Sequence, residues 1–149
     1  MGLFFDHERL EVYQLARELN REVAALLKEL PRGSAESADN LQRATKSITR
    51  NIAEGAGKWR VPDKTHFYQI ARGSATECAA SLDELVDFGL LPESRIERAK
   101  QLAWRIVAML VGMIRSLEDR PGRETAAGAR ARAAARSFGD GGADGRPDG

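Results

Sequence analysis

The chain has 149 residues, a net charge of +1, 42% hydrophobic and 30% charged residues, enough for one domain whose core needs neither disulfide nor metal to hold it. A single cysteine, Cys78, excludes an internal disulfide framework and suits a reducing cytoplasm. No run approaches the ~18 consecutive apolar residues of a membrane span, and the apolar patch Gly2 to Phe5 ahead of Asp6 is shorter than a secretory signal requires.

Four periodic apolar segments follow one another, separated by turn chemistry. The first runs from about Asp6 to Leu30, with Val12, Leu15, Leu19, Val23, Leu26 and Leu30 at three- and four-residue steps, and Pro31-Arg32-Gly33-Ser34 breaks it. The second, Glu36 to Lys58, places Leu41, Ala44, Ile48 and Ile52 on one stripe; Gly55 and Gly57 weaken its end. Pro62 disfavours helix at Val61, which makes Asp63 the expected N-cap of the third. That helix places Phe67, Ile70, Ala71, Ser74, Cys78, Leu82 and Leu85 on one face and stops at Gly89, an expected left-handed residue. Pro92 opens the fourth, which carries Ile96, Ala99, Trp104, Ile106, Val107, Leu110, Ile114 and Leu117 to about Glu118. Nothing alternates with period two. The pattern predicts an all-α, antiparallel, up-down-up-down four-helix bundle over residues 1–118.

Residues 119–149 have a different character: seven Gly, two Pro, six Arg and one aromatic, Phe138. They hold too little apolar area to offset the entropy of ordering, so a disordered Gly/Arg/Ala-rich tail is expected. Within it, Thr125 to Arg136 is composed to form a transient helix.

Catalytic signatures are missing where a bundle would show them. A di-iron site needs Glu-x-x-His pairs on two helices, and neither His7 nor His66 has Glu three residues before it. One Cys and two distant His make no zinc ligand set. Gly55-Ala56-Gly57-Lys58 falls short of a phosphate loop, because Ile52 and Trp59 stand where Gly and Ser or Thr belong. No metal, cofactor or catalytic residue is therefore assigned, and Cys78, on the core stripe, reads as a small hydrophobe.

Two features remain. Arg43, Ser47, Asn51, Glu54 and Lys58 form a polar stripe beside the apolar one on the second helix, and Gly73 and Glu77 occupy the matching flank of the third. A ligand site or an oligomer contact would use such a stripe; the reading preferred is a polar network of Arg43, Ser47, Asn51, Glu54 and Glu77 that fixes packing, with Gly73 permitting close approach. The second feature is charge. Leu41 to Arg72 holds seven basic residues against two acidic, a net +5 that leaves −4 for the rest. Lys46, Arg50 and Arg72 project from the helices, while Lys58, Arg60 and Lys64 crowd the connection beside Trp59, His66 and Tyr68. A charge run is usually a solvated face, but cations interleaved with aromatic rings suit phosphates and unstacked bases. Trp59 in a loop is either an interface anchor or a stacking platform.

The segments Leu41-Gln42-Arg43-Ala44-Thr45-Lys46-Ser47-Ile48-Thr49-Arg50-Asn51-Ile52-Ala53-Glu54-Gly55-Ala56-Gly57-Lys58 and Phe67-Tyr68-Gln69-Ile70-Ala71-Arg72-Gly73-Ser74-Ala75-Thr76-Glu77-Cys78 closely resemble the signature of one bacterial family. It is the four-helix bundle family encoded in intervening sequences of 23S ribosomal RNA genes, and the resemblance spans about residues 4–117. The resemblance implies a left-handed bundle assembled as a ring-like homopentamer, and kinship with basic accessory proteins of diversity-generating retroelements, which bind nucleic acid and a reverse transcriptase. As motif positions it carries over Arg43, Ser47, Asn51, Glu54, Gly55, Gly57, Phe67, Gly73, Ser74 and Glu77, none with a catalytic role.

The sequence thus leads to a non-enzymatic, homo-oligomeric, cytoplasmic module that binds RNA or single-stranded DNA through Lys46, Arg50, Lys58, Trp59, Arg60, Lys64 and Arg72. The alternative is a protein-interaction scaffold whose charges dock an acidic partner. An oligomer is expected because Trp104, Val107, Met109, Val111 and Met113 spread apolar surface over several directions of the fourth helix.

Overall fold

A computed structural model describes residues 2–119 and 126–139. A short 3-10 turn, Asp6–Arg9, precedes four long helices: α1 (Glu11–Glu29), α2 (Ala35–Gly57), α3 (Val61–Asp87) and α4 (Glu93–Glu118). A fifth, α5 (Ala126–Gly139), lies inside the segment expected to be a disordered tail and covers most of the stretch composed to form a helix. The Gly/Asp/Pro end, residues 140–149, falls outside the described residues, as do residues 120–125.

Each long helix packs on its neighbours in the chain, and α4 returns to α1 to close the bundle. The direction alternates: Lys64 of α3 meets Gly55 and Ala56 of α2, while Ser74, further along α3, meets Ser47, further back on α2. Most of the expected stripes of α1, α2 and α4 are buried: Val12, Leu15, Leu19, Val23 and Leu26; Leu41, Ala44, Ile48 and Ile52; Ile96, Ala99, Ile106, Leu110 and Ile114, with Leu30, Val107 and Leu117 half-buried against them. Each large aliphatic side chain so enclosed contributes about 1.5–3 kcal/mol, against ~0–1 kcal/mol for an exposed ion pair. The apolar core therefore holds the bundle together.

Three local expectations are corrected. Helix α3 starts at Val61 with Arg60 as its N-cap, before Asp63. Pro62 sits in the first turn, where the amide it lacks would have had no intrahelical acceptor. The buried line of α3 is Lys64, Tyr68, Ala71, Ala75, Cys78, Leu82 and Leu85, spaced alternately four and three. Ile70, one position ahead of Ala71, therefore falls on the exposed side, and Phe67 is only half-buried. Trp104 points outward, 71% exposed.

Gly89 is left-handed at φ 70°, as its place after α3 requires, and Leu90 N–H closes the helix end on Leu85 O at 2.8 Å. Ahead of α1, the Glu8 carboxylate accepts the backbone N–H of Phe4 and Phe5 at 2.6 and 2.7 Å, which holds it below the usual range. His7 is half-buried, with its ring 5.6 Å from Phe5 and 4.6 Å from Tyr13.

Candidate nucleic-acid interface

The cations singled out from sequence do not form one cluster. Helix α2 turns one flank to α1, where Asn20 Nδ2 donates to Thr49 Oγ1, and the other to α3, where Ser47 meets Ser74. Arg43, Lys46 and Arg50 lie between these flanks, exposed and three and four residues apart, so they form a strip along the outer face. The strip runs toward Gly57 and the α2–α3 connection, Lys58 to Arg60. Trp59, at the tip, is 47% exposed. Lys58 lies 3.8 Å from a Glu54 carboxylate oxygen and 5.1 Å from the Phe67 ring. Arg60 is exposed.

Lys64 and Arg72 leave this surface. Lys64 is 7% exposed, and its ammonium donates to Gly55 O and Ala56 O, both at 2.9 Å. Its charge closes the C-terminal end of α2, where the helix dipole is negative and Gly55 O also accepts the Lys58 amide at 3.2 Å. Burial lowers its pKa, with the nearby Asp6 carboxylate opposing. Arg72 precedes Asp83 by eleven residues, three helical turns, so both lie on one flank of α3; Asp83 bonds Lys100 there, which places that flank against α4.

The polar network is smaller than the stripe suggested. Ser47 Oγ and Ser74 Oγ share a hydrogen bond at 2.7 Å, and Asn51 Nδ2 donates to Ser47 O at 2.8 Å and Ser47 Oγ at 3.1 Å. Arg43 and Glu77 are exposed and outside it, and Glu54 turns to Lys58. The glycine of close approach is Gly55, not Gly73. A Cβ on Gly55 would lie 2.6 Å from Tyr68 Cε1, whereas Gly73 faces open space. Burial, aided by Glu77, pushes the Cys78 thiol up to about 12. Among the described residues no three His, Cys, Asp or Glu side chains group as metal ligands, and no helix is long and apolar enough to cross a membrane.

Sequence reasoning missed what α5 adds. Arg130 bonds the Asp6 carboxylate through Nε at 2.5 Å and also through a terminal nitrogen, and the Arg132 guanidinium carbon lies 5.9 Å from the Trp59 ring centre. The signal available was an alanine-rich run with three arginines and no acid.

The model of the 23S rRNA-intervening sequence proteins matches residues 8–112, which take in the bundle's inner stripes up to Leu110 and none of α5. The crystal structure of a protein of unknown function from the S23 ribosomal protein family of Bacteroides thetaiotaomicron superposes with a TM-score of 0.64. It is 22% identical, and the match spans 69% of this chain and 97% of that one; at this identity the likeness speaks to the fold. No curated protein matches.

Proposed function

The chain belongs to the family of 23S rRNA-intervening sequence proteins, and from that premise we propose that it is a homo-oligomeric, non-enzymatic bundle that binds RNA or single-stranded DNA. The observation behind this reading is the half-exposed Trp59 at the tip of the α2–α3 connection, between Lys58 and Arg60 and at the end of the Arg43–Lys46–Arg50 strip. The strip supplies charge that follows a phosphate backbone, and the indole supplies a face on which an unpaired base stacks. Lys64 and Arg72 are left out. The oligomer, a pentamer in this reading, is supported by Trp104 standing exposed on α4 in line with Ala108 and the half-buried Val111.

The test is binding of a labelled 12-nucleotide oligo-dT, and of a duplex of equal length, over a salt series. Trp59→Ala is expected to weaken single-strand binding by about ten-fold or more, as loss of one stacked base does, and to spare the duplex. Lys46→Ala with Arg50→Ala is expected to lower the salt slope by about 1.4, at ~0.7 per single-strand phosphate contact. Absence of binding by the unaltered chain at low salt refutes the reading.

A further inference from the structure

The ring on which this interface depends already has an occupant. Arg132 of α5 sits over the Trp59 indole at cation–π distance, and two residues earlier Arg130 grips Asp6, in the turn that precedes α1. Gly128, buried, and Ala131, half-buried, mark the side of α5 turned to the bundle. The helix therefore bridges the N-terminal turn and the α2–α3 connection.

We propose that α5 is a strap that covers Trp59 in the free protein and yields the ring to an unpaired base. A guanidinium and a nucleobase cannot share one ring face, so base stacking there requires Arg132 to leave. The Asp6 end of the hold is light: the ion pair is partly solvent-exposed on both sides, 53% at Arg130 and 26% at Asp6, and the inward-facing Gly128 and Ala131 offer little apolar area to bury. Release also has a reward: Arg130 and Arg132 exchange Asp6 and Trp59 for phosphates of the incoming strand. Three arginines and no carboxylate across residues 126–139 draw the strap to the same polyanion as the strip. A duplex keeps its bases stacked and offers nothing to take the ring, so the strap discriminates between single strand and duplex. The exchange rests on Trp59 as a stacking ring; the strap contact itself does not.

The test uses the full chain with Trp104→Phe, which leaves Trp59 as the sole indole. Acrylamide quenching of Trp59 is compared in this background, with Arg132→Ala added, and with Asp6→Asn added. Both additions are expected to raise the quenching constant, by at most roughly two-fold because 47% of Trp59 is exposed already. Asp6→Asn removes no cation and is expected to tighten 12-nucleotide oligo-dT binding by about three- to five-fold, the share of closed chains an exposed latch maintains. Duplex affinity should move far less. Equal quenching in all three proteins overturns the strap, whatever the oligonucleotide does. Raised quenching with no oligonucleotide bound by any form at low salt leaves the contact standing and overturns the base exchange together with the proposed interface.

Discussion

At the scale of single residues, the group most altered by structural context is Lys64. In the sequence it is one of three cations around a loop; in the fold its ammonium closes two carbonyls of α2. Lys64→Met should therefore cost on the order of 2 kcal/mol, because a buried acceptor left without a donor is expensive. Urea unfolding measures this, and the salt slope of nucleic-acid binding should not move. Charge was legible in the sequence, but the direction of a long side chain was not: it depends on α3 starting early enough to place Lys64 over the end of α2. Gly55 is the companion case. Its missing Cβ admits the Tyr68 ring, so Gly55→Ala should cost about 1–3 kcal/mol through overpacking, with partial recovery when Tyr68→Leu is added. Two buried groups of α3 set the alkaline limit. Unfolded, Cys78 ionises near 9 and Tyr68 near 10, whereas burial holds each up to about 12. Above pH 9 the unfolded chain thus binds fewer protons than the folded one, and stability falls as pH rises, first through the thiol and then through the phenol. Lys64 opposes this, since its folded pKa is depressed and the unfolded chain keeps its proton longer. Cys78→Ala is expected to move the onset of alkaline loss from about 9 to about 10, read as the urea midpoint at half-unit steps of pH.

At the scale of helices, the α1–α4 seam carries a ladder of opposite charges. Arg95 bonds Glu22 at 2.8 Å and Glu29 at 2.5 Å, Arg98 pairs with Glu18, and Arg105 comes within 4.0 Å of Glu11. Numbers rise along α1 as they fall along α4, the signature of antiparallel neighbours. Four carboxylates of α1 thus engage three arginines of α4, whereas the α2 strip turns its cations outward. Exposed pairs are individually worth ~0–1 kcal/mol, so the ladder selects register and partner more than it stabilises. Arg95→Glu brings three carboxylates together and should lower stability by about 1–2 kcal/mol at low ionic strength, less in high salt; adding Glu22→Arg should restore part of it. Seven-residue spacings between Glu11 and Glu18, Glu22 and Glu29, and Arg98 and Arg105 were present in the sequence. What they lacked was the knowledge that α1 and α4 touch. Helix existence and most core positions were legible because each stripe is periodic. Ile70 was misplaced because α3 is apolar on more than one side there, and the Lys64–Tyr68 register that excludes it includes a charged residue no hydrophobic pattern would choose.

At the scale of the whole molecule, the cationic strip and the exposed Trp104 lie on opposite helices, α2 and α4, with α1 and α3 between them in the closed bundle. An assembly through α4 therefore leaves each copy's strip and Trp59 facing outward. Several strips on one such particle would meet a single strand at high effective concentration, so under the proposed function affinity should depend on assembly even though no α4 residue is assigned to the strand. Trp104→Glu buries a charge in any such contact and should yield a monomer in sedimentation at micromolar concentration, with helix content unchanged because the site is solvent-exposed in the lone bundle. Its binding to a 12-nucleotide strand, which spans about one site, should stay near that of the unaltered chain, while binding to a strand of about 60 nucleotides should fall by 10²-fold or more. Equal loss on both strands would mean that α4 itself meets the nucleic acid. A monomeric unaltered chain would remove the assembly from the reading and leave the strip and Trp59 to act alone.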